Sequence, residues 1–264
     1  TLSLHHALPI LGRGMQLNSN GSLFLSGLFW GLSALARPAT LLVPAILAVW
    51  LGFRKRHAAL IVLLAGTAAV IAPITVRNAI IGGEFALTTV SGGMNFYVGN
   101  NPEAIGLYVE PEFLPSSDPR MEFEAYIEEA ERRSWEELSP AEASRFWFSE
   151  GALFLLKHPL QWAKLWGQKF FYFWNALEAP NNISYYLARE YSPLLRALPL
   201  NFALLAALGL PGLLLMRKGW LKDLLWLYLA VIVAVNVIFF TSSEYRFPAL
   251  LALLPGAGVA LERA

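Results

Sequence analysis

Apolar runs separated by short polar breaks set the outline of this chain. Leu23 to Ala36 is one such run, closed by Arg37 and Pro38. Proline disfavours helical angles in the residue before it, so a helix is predicted to stop or kink at Arg37. A second run, Ala39 to Phe53, ends in the basic cluster Arg54, Lys55, Arg56 and His57. A third, Ala58 to Val76, is broken only by Pro73 and ends at Arg77 and Asn78. Three more close the chain: Asn201–Met216, Leu224–Phe240 and Phe247–Leu261. The first two runs fall short of the roughly 20 residues of a full membrane span, so they need tilt or burial among neighbours. Residues 1–22 read as a short apolar start followed by a loop containing Gly12, Gly14, Asn18, Asn20 and Gly21.

Between the two sets of runs the pattern turns polar. Two helix starts are marked there. Asp118-Pro119 pairs a capping side chain with a proline at the first helical position. Ser139-Pro140-Ala141-Glu142 has the spacing of a capping box, in which serine and glutamate satisfy each other's backbone donors, and predicts a helix running to about His158. Residues 159–175 place Trp162, Leu165, Trp166, Phe170 and Phe173 at helical spacing, with Lys164 and Gln168 elsewhere on the wheel. Aromatics with lysines suit a helix lying in the headgroup region, against the alternative of an ordinary packed helix. Residues 178–200 read as a connector. Ser91 to Glu103, SGGMNFYVGNNPE, reads as a turn-rich loop: Gly92 and Gly93 permit unusual backbone angles, and Gly99, Asn100, Asn101 and Pro102 form a sharp turn.

Composition turns this pattern into a class. Hydrophobic residues make up 56% of the chain and charged ones 15%, against about 25% in a typical soluble domain. The expectation is an all-α polytopic membrane protein of about six transmembrane helices, with a helical extracytoplasmic insertion and an interfacial helix. Its divisions are residues 1–76, with three membrane segments; 77–200, the insertion; and 201–264, with three more. A net charge of +1 gives no electrostatic case for a nucleic-acid partner. The absence of cysteine removes disulfides, thiol nucleophiles and thiolate metal sites. The four histidines form no HExxH pair, and no metal site is expected.

Charge also predicts orientation. Positive charge in short loops marks the cytoplasmic side, and Arg54–Arg56 and Arg217–Lys222 are the two strongest clusters. With both inside, the six segments alternate without conflict, and the acidic insertion lies outside. Residues 82–151 hold fourteen acids against four bases. Arg37, Arg77, Ser91–Glu103 and Glu244-Tyr245-Arg246 then share the outer face. A cation at a membrane interface is ordinarily a solvated anchor. Arg37 and Arg246 sit in short proline-flanked breaks between apolar runs, where a guanidinium can hold a phosphate through two oxygens at once.

The segments RPATLLVP (37–44), APITVRNAIIGGEFALTTVSGGMNFYVGNNPEA (72–104), HPLQWAKLWGQKFFYFW (158–174) and SSEYRFPALLALLPG (242–256) carry a resemblance. In that order they resemble membrane glycosyltransferases of the GT-C superfamily, glycosyltransferase family 39, the dolichyl-phosphate-mannose-protein mannosyltransferase-like enzymes. Residues 105–150 lie outside the likeness. The resemblance implies transfer of a sugar from a polyprenyl-phosphate donor to a lipid, glycan or protein acceptor. Transfer would occur on the extracytoplasmic face of a multi-pass cell (inner) membrane protein. It implies an acidic catalytic residue in a first outer loop, expected to precede Thr1, so no catalytic base is named here. Arg246, Arg37 and Tyr245 are the candidates for the donor phosphate. Asn95, Asn100, Asn101 and Glu103 are candidates for the sugar. The resemblance leaves a divalent metal cofactor open. The competing readings are a polyprenyl-lipid or solute transporter and a non-catalytic membrane scaffold.

Overall fold

A computed structural model describes residues 2–114, 121–180, 184–197 and 201–264. Among these residues the chain is helical, with no strand and a single isolated parallel bridge between Leu107 and Thr241. It divides into two compact units.

The first unit holds residues 1–89 and 218–231. Its helices are α1 (Leu2–Leu17), α2 (Asn20–Ala36), α3 (Leu42–Phe53) and α4 (His57–Ile81), joined by the opening part of a helix that starts at Trp220. Helix α1 corrects the loop expected over residues 12–21. Its glycines serve packing: a Cβ on Gly12 would stand 2.4 Å from the Trp220 ring, and one on Gly14 2.9 Å from Leu23. Arg37 ends α2 in extended backbone, as Pro38 requires, and a short 3₁₀ turn, Pro38–Leu41, leads into α3. Helix α4 continues past Arg77 and Asn78 to Ile81, and the Asn78 amide bonds the Ala86 and Thr88 carbonyls of the returning chain.

Helices α2 and α4 meet through small residues. A Cβ on Gly27 would lie 2.2 Å from the Leu63 carbonyl oxygen, and one on Gly66 2.2 Å from that of Phe24. Close backbone approach of this kind is how helices associate where lipid removes the hydrophobic drive between them. At one end of this unit Arg54 pairs with Asp223, and Arg56 donates to Asn18 Oδ1 at 2.7 Å. The α1–α2 turn, the α3–α4 loop and the first turn of the helix from Trp220 are therefore neighbours.

The second unit holds residues 90–217 and 232–264. Its helices are α5 (Gly92–Gly99), α6 (Glu122–Ser134), α7 (Pro140–Lys157), α8 (Pro159–Trp174), α9 (Tyr185–Tyr191), α10 (Pro193–Ala197) and α11 (Phe202–Leu215). The C-terminal part of α12 (Trp220–Ile238) follows, then the one-turn α13 (Ser243–Arg246) and α14 (Leu250–Arg263). The expected capping box at α7 is present: Ser139 Oγ accepts from Glu142 N, and Glu142 Oε2 accepts from Ser139 N at 3.0 Å. The expected start at Asp118-Pro119 lies outside the described residues. The connector after residue 178 contains α9 and α10. Helices α11 and α14 pack on glycine, with a Cβ on Gly212 only 1.7 Å from the Gly256 carbonyl oxygen.

Among the described residues two helices, α4 and α12, are long and apolar enough to cross a membrane; α3 with its 3₁₀ turn and α11 are shorter apolar helices. The core of the second unit is aromatic and lies between α5, α6 and α7: Met94, Val98, Tyr126, Ala130, Ala143, Trp147 and Phe240 are buried together.

Candidate functional site

The Ser91–Glu103 stretch is a helix with a turn after it, correcting the expected loop. Gly92 and Gly93 take ordinary helical angles. The positive φ values among described glycines belong to Gly83 and Gly106. What Gly93 supplies is contact: its N–H donates to Ser144 Oγ at 3.0 Å, and a Cβ there would lie 1.7 Å from the Ser144 carbonyl oxygen. Helix α5 is thus pressed onto α7. Its end is closed by amides. Asn101 Nδ2 donates to the carbonyls of Tyr97 (2.9 Å) and Val98 (3.2 Å), and Asn101 Oδ1 accepts from Glu103 N at 2.8 Å. These bonds satisfy carbonyls that a helix C-terminus leaves without intrahelical partners.

That closed turn forms one edge of a cleft of about 360 Å³. The lining includes Tyr97, Asn101, Glu103, Glu110, Glu112, Phe113 and Arg133. The volume lies at the small end of the range for ligand pockets, suited to a single ring rather than an extended chain. Aromatic stacking builds the wall. Phe113 lies parallel to Trp147 at 5.2 Å, Tyr97 meets the same indole at 4.5 Å, and the Arg133 guanidinium lies over it at 5.1 Å. Arg133 is fixed by Glu129, its Nε donating to Oε1 at 2.7 Å. Hydrogen bonds from Arg132 and then Arg133 hold the Glu129 carboxyl down to about 2. Behind the wall the phenols of Tyr108 and Tyr126 are pushed up, first by burial; Glu122 and Glu110 add to both.

A second polar group in this unit is buried. Lys169, on α8, is fully enclosed, and its Nζ donates to Asn100 Oδ1 at 3.0 Å. Asn100 Nδ2 donates in turn to the carbonyls of Phe96 and Ile238, both at 2.8 Å. Burial lowers the Lys169 amine to about 7. The Lys169 backbone carbonyl accepts from Thr241 Oγ1 at 3.1 Å. One turn further along, Arg246 is 1% exposed and closes the end of α8. Its Nη1 donates to the carbonyls of Tyr172, Phe173 and Asn175, its Nη2 to Leu177, and Nη2 pairs with Glu178 at 3.0 Å. The guanidinium lies 4.5 Å from the Phe202 ring centroid.

The predicted site residues therefore separate. Asn101 and Glu103 line the cleft, whereas Asn100 is buried behind the turn, tied to Lys169. Asn95 sits near the start of α5, donating to Ser91 O at 3.1 Å. Tyr245 packs against Phe240 at 5.3 Å, and its carbonyl accepts from Asn236. Arg246 has protein partners on both Nη atoms, so a phosphate at those atoms would have to displace backbone carbonyls. Arg37 belongs to the first unit, at the C-terminus of α2.

The buried stripe of α8 also differs from the expected aromatic face. It is Leu165, Lys169 and Phe173, while Phe170 and Phe171 are exposed. Lys169 was missed because a lysine among aromatics reads as a solvated interfacial cation. Glu110, Glu112, Phe113 and Arg133 gave no motif. No family model, curated protein or solved structure matches this chain.

Proposed function

We propose that this chain is part of a multi-pass membrane glycosyltransferase of GT-C type. It takes a sugar from a polyprenyl-phosphate donor on the extracytoplasmic face, and the cleft at the end of α5 holds the sugar. The observation that carries the reading is that Asn101 and Glu103, from a motif of the family resemblance, line a cleft with two further carboxylates and aromatic rings. Carboxylates accept hydrogen bonds from sugar hydroxyls, and ring faces cover the apolar side of a pyranose.

The membrane part of the proposal has about six spans, with α4 and α12 the longest. Support comes from glycine-lined helix contacts and from the basic α3–α4 loop, whose Arg54 meets Asp223 at the start of α12. Arg246 holds the hairpin that carries Tyr245.

The test is turnover by the full-length protein, reconstituted in liposomes, of a panel of radiolabelled polyprenyl-phosphate sugars. Glu103→Gln should lower kcat/KM by about tenfold or more, the scale of one lost charged hydrogen bond, with unchanged melting. Full activity in both Glu103→Gln and Asn101→Ala, or no transfer from any donor in the panel, overturns it.

A further inference from the structure

Helix α8 is built inside out. Its buried stripe, Leu165, Lys169 and Phe173, encloses a lysine. The opposite stripe, Leu160, Lys164, Gly167 and Phe171 at helical spacing, is exposed and mostly apolar. Leu160 is 87% exposed and Phe171 66%, and nothing lies within 4 Å of a Cβ built on Gly167. Phe170 beside them is exposed as well. A helix on the surface of a water-soluble domain has the reverse arrangement, polar outward. The two short helices that follow continue the pattern. Neither α9 nor α10 has a buried residue, and Tyr186, Leu187, Tyr191 and Leu194 are exposed on them. The Tyr186 hydroxyl accepts from Glu178 N at 3.2 Å, which holds α9 beside the end of α8.

Two further observations bear on what covers this face. The first is its place in the unit. The Phe173 ring meets, edge-on at 5.5 Å, that of Phe202, the first residue of the apolar helix α11. Lys169 is tied through Asn100 to the carbonyl of Ile238, the last residue of α12. Helix α8 therefore lies where one apolar helix begins and another ends. For membrane helices that level is the boundary between hydrocarbon and headgroups. The second is charge. Among the described residues of 159–197 the exposed charged ones are Lys164, Arg189 and Arg196 against Glu190, while Glu178 is paired with Arg246. Aromatic rings with lysine and arginine make up a headgroup belt, and each base beside an anionic leaflet is attracted to it.

We propose that the outward face of α8, with α9 and α10, rests in the headgroup layer of an anionic bilayer leaflet. Leu160, Phe170 and Phe171 enter the acyl boundary, and Lys164, Arg189 and Arg196 meet the lipid phosphates. The proposal rests on the reading of α11 and α12 as membrane helices and adds a lipid class to it. Lys169 joins this face to the turn that carries Asn101 of the cleft, so the cleft is held at a fixed place relative to that leaflet.

The test places the protein in nanodiscs of phosphatidylglycerol and phosphatidylcholine and attaches single nitroxides at Phe171→Cys, Ala234→Cys and Glu128→Cys. Ala234 is exposed on α12 and Glu128 on α6. The Phe171 label should collide more with oxygen than with a water-soluble nickel chelate, as should the Ala234 label, and the order should reverse at Glu128. Photoactivatable phosphatidylglycerol should label residues 159–197 at about fivefold the yield of its phosphatidylcholine counterpart, the scale of one base near an anionic surface. That ratio should fall to about one in a Lys164→Gln/Arg189→Gln/Arg196→Gln variant whose helix content is unchanged. Ala234 in lipid with Phe171 in water overturns the docking alone, and both labels in water overturn the membrane reading with it. A Phe171 label shielded from both agents and broadened by a second label means that another copy covers the face, which also overturns the proposal. Equal labelling by the two lipids, or a preference that survives the triple substitution, overturns the anionic contact. Neither readout depends on turnover, so docking in a protein that transfers no sugar supports this proposal and overturns the transferase reading.

Discussion

Lys169 Nζ donates to Asn100 Oδ1 across 3.0 Å, joining α8 to the turn that shapes the cleft through a buried amine with no carboxylate partner among the described residues. Burial lowers this amine to about 7, while the unfolded chain titrates near 10.4. Between those values the unfolded chain holds a proton that the folded chain has released. Stability contributed by Lys169 therefore rises as pH goes from about 7 to 10, and is lost as pH falls back through 7. Lys169→Met should remove that rise. The check is tryptophan-monitored unfolding of both proteins at pH 6, 8 and 10. Parallel stability curves would mean that the amine does not titrate in this window.

Arg246 answers a different need. The last carbonyls of α8 have no intrahelical donors, and Arg246 bonds three of the carbonyls at that end, Tyr172, Phe173 and Asn175, as well as Leu177. Arg246→Ala leaves these carbonyls and the Glu178 carboxylate without their cation. A loss of about 3–5 kcal/mol is expected, the cost of breaking a buried pair from one side. Thermal unfolding of the purified variant measures it. A variant that melts like the parent yet loses transfer would instead assign the guanidinium to a ligand.

The extent to which the fold was legible follows from what each residue does. Ser139 and Glu142 act on each other within one turn, so their capping box could be read directly. Apolar runs outlined α2, α4, α11 and α12, because burial and membrane insertion both leave long hydrophobic stretches. Helix α1 was hidden by Gly12 and Gly14, whose value lies in their contacts with Trp220 and Leu23. Lys169 was hidden because its enclosure depends on Asn100, sixty-nine positions away. Of the cleft, Asn101 and Glu103 could be anticipated from their turn. Arg133 and Phe113 could not, since they come together only on Trp147 of α7, far from Phe113 in the chain.

The adjacent glycines of α5 separate conformation from contact. Nothing lies within 4 Å of a Cβ built on Gly92, whereas one on Gly93 falls 1.7 Å from a backbone oxygen of α7. Neither has a positive φ. Gly92→Ala should be neutral or stabilise by about 0.5–1 kcal/mol through helix propensity. Gly93→Ala must push α5 off α7 and should destabilise by about 3 kcal/mol, the upper range for overpacking. Denaturant unfolding of the two variants compares them. Equal effects would mean that the contact between α5 and α7 yields without cost.

The proposed topology makes a prediction that a cysteine-free chain can test directly. Arg54 pairs with Asp223 and Arg56 bonds Asn18, so the basic α3–α4 loop lies beside the α1–α2 turn and the first turn of α12 at one end of the first unit. In the proposed topology the positive-inside rule puts that end in the cytoplasm and the acidic α6–α7 segment outside. Glu128 is exposed on α6 and Lys55 is exposed in the α3–α4 loop, so a thiol at either position is reachable. In right-side-out vesicles, a membrane-impermeant maleimide should label the Glu128→Cys variant at once. It should label Lys55→Cys only after the membrane is opened. The reverse pattern would place the cleft on the cytoplasmic side and overturn the proposed extracytoplasmic transfer.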